Sequence, residues 1–201
     1  MDIRVNNLDL GYEQCEGLNN LVNGKGQELT NNIKNNIANL KQHWVGNDAT
    51  VHINNLIELY DFLGRLVNGA LGVTSSAADS MIRIQEIRQL NGGAGQIGNK
   101  LISSADFSRI ANAETTAEYY VDPAALSDLS TLKEIYSSYN EFINSFKSKR
   151  DDLFSNWTMG ARIEQAKEMF DEFLNASNKY DGYFNNAIEN LEKATKNISN
   201  L

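Results

Sequence analysis

From Ile163 onward, apolar residues recur at alternating steps of three and four: Ile163, Ala166, Phe170, Phe173, Tyr180, Phe184, Ala187, Leu191, Ala194, Ile198 and Leu201, with Ser177 as a polar member. That spacing places one residue per turn on a single side of a helix and predicts a heptad seam. The segment before it carries the same pattern in Leu129, Leu132, Tyr136, Tyr139, Ile143, Phe146, Leu153 and Trp157, interrupted by the charged Arg150. Between the two seams "NWTMG" is short enough only for a tight reversal. The expectation is two antiparallel helices joined by a turn.

The first half follows the same plan. Its second seam reads Ile53, Leu56, Tyr60, Leu63, Val67, Ala70, Thr74, Ala77, Met81, Ile84 and Ile87. Its first reads Cys15, Leu18, Val22, Lys25, Leu29, Ile33, Ile37, Leu40 and Trp44, with looser steps. Gly24 and Gly26 beside Lys25 predict a break or a late start there, since each glycine costs up to about 1 kcal/mol inside a helix. Gly64, Gly69 and Gly72 predict either close backbone approach or a bend near residues 69 to 76. Aligned on its two tryptophans, the chain sets Leu40 on Leu153, Leu29 on Phe142, Tyr60 on Phe173 and Leu56 on Met169. The apolar phase matches across both helices, as in a tandem repeat of one hairpin. Two such hairpins bury their seams on each other, so the expected fold is all-α, a four-helix bundle built as a pseudo-dimer.

Residues 1–90 form the first hairpin and 126–201 the second. Residues 91–125, opening "NGGAGQIGN", read as a connection, with a short helix expected around Ser104 to Ala113. A helix of about 40 residues is roughly 60 Å long, and an extended connection of ~35 residues reaches beyond ~100 Å. The connection is therefore long enough to let the hairpins pack head to tail.

Both tryptophans fall at the end of a seam, followed by glycine: Trp44 with Gly46 in "HWVGNDA", and Trp157 with Gly160 in "NWTMGAR". A terminal Trp closes a bundle end with a large apolar ring whose N–H needs a partner, and glycine lets the chain turn. Asn47 and Asp48 are placed to cap the helix after the first turn, and Thr158 is the comparable residue of the second. The aromatics Tyr60, Tyr136, Tyr139, Phe142, Phe146, Phe170, Phe173, Tyr180 and Phe184 are the candidate helix-packing residues, with any exposed excess forming a docking face for another hairpin.

Composition narrows the function. One proline, Pro123, leaves long segments free to be helical. The net charge is −8, with scattered Lys and Arg, so no basic patch for nucleic acid is expected. Residues 1 to 30 lack a secretory signal's basic start, apolar run and cleavage site. No apolar run approaches the ~20 residues of a membrane span, so membrane association is not expected. A lone cysteine, Cys15, allows no intrachain disulfide and reads as a buried small hydrophobe. His43 and His52 find no ligand set of metal spacing, and Cys15 with a His would need a third orienting group. The adjacent carboxylates Asp151–Asp152 and Asp171–Glu172 read as solvated faces, and "GGAG" as linker. The chain is expected to be non-enzymatic, without metal or cofactor.

"W-V-G" midway along a hairpin of roughly 100 residues, preceded by the alternating lead "MDIRVNNLDL", resembles the WXG family of early-secreted-antigen-like proteins exported by bacterial type VII secretion systems. The second half resembles the same unit with the variant "W-T-M-G". The resemblance covers nearly the whole chain outside residues 91–125. It implies leaderless secretion from the cytoplasm, as a substrate or as a helper of a larger effector. The implied partners are a helical hairpin of that effector and the export machinery, and the implied state is a monomeric pseudo-dimer or a larger homo-oligomer. Family members often carry Tyr-x-x-x-acid late in the second helix. Here Tyr180 is followed at that spacing by Phe184, Tyr183 by Ala187 and Tyr60 by Gly64; only Tyr12 with Glu16 fits, near the N-terminus. That departure favours export with a partner. Two other readings stay open: a membrane-active helical toxin inserting "LVNGALGVTSSAA" (66–78), and a structural coiled-coil module.

Overall fold

The computed structural model of the chain describes residues 4–5, 7–159 and 161–196. Gly160 and the seam positions Ile198 and Leu201 lie outside them. The fold is an all-α helical bundle. Helix α1 (Leu8–Leu21) passes through a π-helical turn (Val22–Gly26) into α2 (Gln27–His43). Then follow α3 (Asn47–Leu90), α4 (Ala125–Asn156) and α5 (Ala161–Thr195). Among the described residues, four strands of two or three residues lie outside the helices: β1 (Arg4–Val5), β2 (Trp44–Val45), β3 (Tyr120–Val121) and β4 (Trp157–Met159).

The compact units do not follow the hairpin boundaries. One consists of Met1–Gln27, Arg65–Asp106 and Phe142–Asn175, the other of Glu28–Gly64, Phe107–Glu141 and Ala176–Leu201. Each therefore draws four helical segments from both hairpins. The first holds the turn of the second hairpin beside the start of α1 and the end of α3. The second holds the turn of the first hairpin beside the start of α4 and the end of α5. Within each unit the hairpins meet head to tail.

In the first unit Cys15, Leu18, Val22, Leu71, Phe146, Leu153 and Phe170 are fully buried. Phe146 meets Phe170 and Phe173 edge-on, at centroid distances of 5.1 and 5.0 Å. In the second, Ile33, Leu40, Leu56, Leu59, Tyr139, Phe184 and Leu191 fill the core. Phe184 packs on Tyr136 and Tyr139, and Tyr180 stacks on Phe62 at 4.1 Å.

Several seam positions differ from the sequence reading. The helix does not break at Gly24; the π turn inserts a residue and shifts the phase, so Lys25 is exposed and Gly26 is buried. Ile87 is exposed, and Gln85 is buried in its stead. Arg150 keeps its charge outward between Asp151 and Asp171, at 2.6 and 2.5 Å.

Residues 104–113 are not helical and form no regular element. They belong to a strap, residues 91–119, whose main chain bonds to helix side chains instead of to itself. In the first unit Gln85 donates to the Ala94 carbonyl, Gln89 to Gly95, Ser75 to Leu101 and Asn19 to Ile102, while Asn68 accepts the Ala105 N–H. In the second unit Tyr60 donates to the Ser108 carbonyl, Thr50 to Glu114, and Asn54 binds both main-chain groups of Ala113. Gly64 admits the strap closely, because a Cβ there would lie 3.2 Å from the Phe107 ring. Here the glycine signal marks close approach, and α3 continues through it.

Candidate functional site at the Trp–Gly turns

The first turn is built in the second unit. Antiparallel pairing sets Trp44 opposite Val121 and Val45 opposite Tyr120, and the Asp122 N–H extends the ladder to the His43 carbonyl at 2.8 Å. Gly46 then turns the chain at φ +139° beneath the Tyr119 ring, which a Cβ would meet at 3.0 Å. Only glycine takes that conformation without strain. Trp44 is 2% exposed and stacks on His52, with centroids 5.8 Å apart and planes 5° from parallel. Burial lowers the His52 pKa; Asp48 opposes the effect and Lys193 adds to it.

His43, the residue before Trp44, reaches the first turn of α4, where its Nδ1 lies 2.6 Å from Oδ2 of the buried Asp128. Asn36 donates to the Asp128 carbonyl at 3.1 Å. Asp122 accepts the Tyr120 hydroxyl at 2.5 Å and the Ala124 N–H at 2.7 Å; these bonds hold its carboxyl below the usual range, and the first raises the Tyr120 pKa. An Asp–His pair of this kind could orient an imidazole for proton transfer. What the geometry shows is an anchor between the first turn and the start of α4.

The second turn, in the first unit, repeats the design with other chemistry. Strand β4 pairs with β1, Met159 opposite Arg4 and Trp157 opposite Val5, with an irregular step between them. Asn156, the residue before Trp157, accepts the Asn7 N–H and donates to the Asn7 carbonyl, both at 2.9 Å. Asn7 in turn caps α1 by accepting the Leu10 N–H. Trp157 is 2% exposed and packs on Phe154; its buried indole N–H has no hydrogen-bond partner among the described residues.

Each turn is thus closed by the strand that leads into the other hairpin. The residue before each Trp ties that turn to the start of the other hairpin's first helix. Sequence reasoning found Trp44, Gly46 and Trp157 but missed His43 and Asn156 as anchors, and Asp128 and Asn7 as their targets. The available signal was position: aligned on the tryptophans, His43 and Asn156 coincide.

Of the nine candidate packing residues, Tyr60, Tyr139, Phe142, Phe146, Phe170, Phe173, Tyr180 and Phe184 are buried within their own units, and Tyr136 is half-buried. Leu66, Val67, Ala70, Leu71, Ala77 and Ala78 of the 66–78 segment are core residues of the first unit. Among the described residues no helix is long and apolar enough to cross a membrane, and no group of three or more His, Cys, Asp or Glu is placed to hold a metal ion. Compared with known proteins, the chain matches no family model, no curated protein and no solved structure.

Proposed function

We propose that this chain is a non-enzymatic, type VII secretion-associated protein: a WXG-like dimer fused into one polypeptide, exported as a substrate or as the helper of a larger effector. The observation that carries the reading is the reciprocal closure of the two Trp–Gly turns. A hairpin whose turn is completed by its partner's leading strand is built to work as a pair, and here both members are in cis. The burial of the aromatic seams supports a preassembled unit that binds an effector through outer surfaces. Tyr119 and Tyr120, 69% and 50% exposed beside the first turn, are the largest apolar groups available there.

Secretion from a bacterium carrying a type VII system is the test, with its membrane ATPase present or deleted. Wild-type protein should reach the medium only with the ATPase, and Trp44→Ala and Trp157→Ala should lose both export and thermal stability. ATPase-independent release, or normal export of both Trp variants, would overturn the proposal.

A further inference from the structure

Asparagine has a recurring task in this chain. Asn54 donates to the Ala113 carbonyl at 3.3 Å and accepts the Ala113 N–H at 2.8 Å. Asn156 grips Asn7 by the same pair of bonds. Asn68 accepts the Ala105 N–H at 2.7 Å, and Asn19 donates to the Ile102 carbonyl at 2.8 Å. In every case a helix-borne amide holds the main chain of a non-helical segment. A primary amide offers the donor and acceptor that a peptide unit requires, so the match is indifferent to the side chain of the residue held.

Within the second unit a further set of asparagines lines a groove instead of clasping the strap. Asn32, Asn35, Asn36 and Asn39 share one face of α2 at helical spacing. Across from them α4 presents Ile135, Glu134 and the hydroxyls of Thr131 and Ser138, and together they line an open groove of about 360 Å³. Asn32, Asn35 and Asn39 are exposed. Asn36 is 2% exposed; its Nδ2 bonds to the Asp128 carbonyl, but its buried Oδ1 has no partner. A buried amide oxygen of this kind calls for an N–H donor.

We propose that this groove docks an extended peptide segment of another protein, gripped by its main chain as the strap is gripped. From Asn32 to Asn39 the helix rises about 10 Å, the length of roughly three residues of extended chain. Glu134 is the only charged residue of the lining, so the segment is uncharged or carries a single Lys or Arg. The site depends on no assumption about export.

The probe is the acetylated and amidated hexapeptide Ser-Arg-Ile-Ala-Asn-Ala, copied from residues 108–113 of the strap. It is titrated into the full-length, isotope-labelled protein while the asparagine side-chain amide signals are followed. Saturable shifts at Asn32, Asn35, Asn36 and Asn39 are expected. The exposed double variant Asn35→Ala/Asn39→Ala, melting like wild type, should bind about tenfold more weakly or worse. The proposal fails if millimolar peptide moves none of these signals, or if the shifts fall on Asn54 and Asn68, which means strap displacement. It also fails if a chitin tetrasaccharide moves the four signals and the peptide does not, which assigns the amides to sugar hydroxyls.

Discussion

Gly46 is the residue at which sequence pattern and backbone geometry agree most closely. Its φ of +139° strains any side chain, and a Cβ there would press on the Tyr119 ring. Gly46→Ala should destabilise the protein by about 1–3 kcal/mol, the usual cost of a strained backbone position, read as a lower midpoint in urea denaturation. An unchanged midpoint would mean that the turn relaxes freely. His52 carries the pH dependence of the same region. Because burial lowers its folded pKa below the ordinary 6.5, the unfolded chain takes up a proton first as pH falls. The stability that neutral His52 contributes is complete above that value and is lost as pH drops through it toward the folded pKa. His52→Gln should flatten the fall in stability as pH drops below the ordinary histidine value; an identical slope in the variant would remove this role. The pH effect is not visible in the sequence: His43 and His52 acquire their roles from Asp128 and Trp44, which folding brings to them.

The helices were legible as elements because a heptad seam is a local property, repeated often enough that Lys25, Arg150 and Ile87 did not obscure it. The strap was not. Its main-chain groups bond to side chains far away in sequence, and such bonds leave no period to read. At this scale Asn54 is the residue that binds both main-chain groups of one strap residue, Ala113. Asn54→Ala removes two bonds, each worth about 0.5–1.5 kcal/mol net. The Ala113 amide should then exchange with solvent faster, while the Ala105 amide, held by Asn68, keeps its protection. If hydrogen exchange finds Ala113 unchanged, the strap is held by packing such as Phe107 on Gly64 and not by its amide clasps.

At the level of the whole molecule, each compact unit needs both hairpins, since each draws two of its four helical segments from either one. Residues 1–92 or 118–201 alone would expose an aromatic or aliphatic seam to water. Expressed together, the two fragments should form a 1:1 complex with native-like helix content; expressed singly, each should self-associate, as sedimentation would reveal. A single fragment that stays monomeric and fully helical would contradict the shared core. The seams, the duplication and the two Trp–Gly turns follow from the order of residues, because periodicity and turn chemistry act over a few neighbours. The head-to-tail pairing, the crossed closure of each turn by the other hairpin's lead, and the division of asparagines between those that clasp the chain and those that line an open groove were decided only on folding. They depend on which distant segments arrive at one place, and a linear pattern holds no record of that.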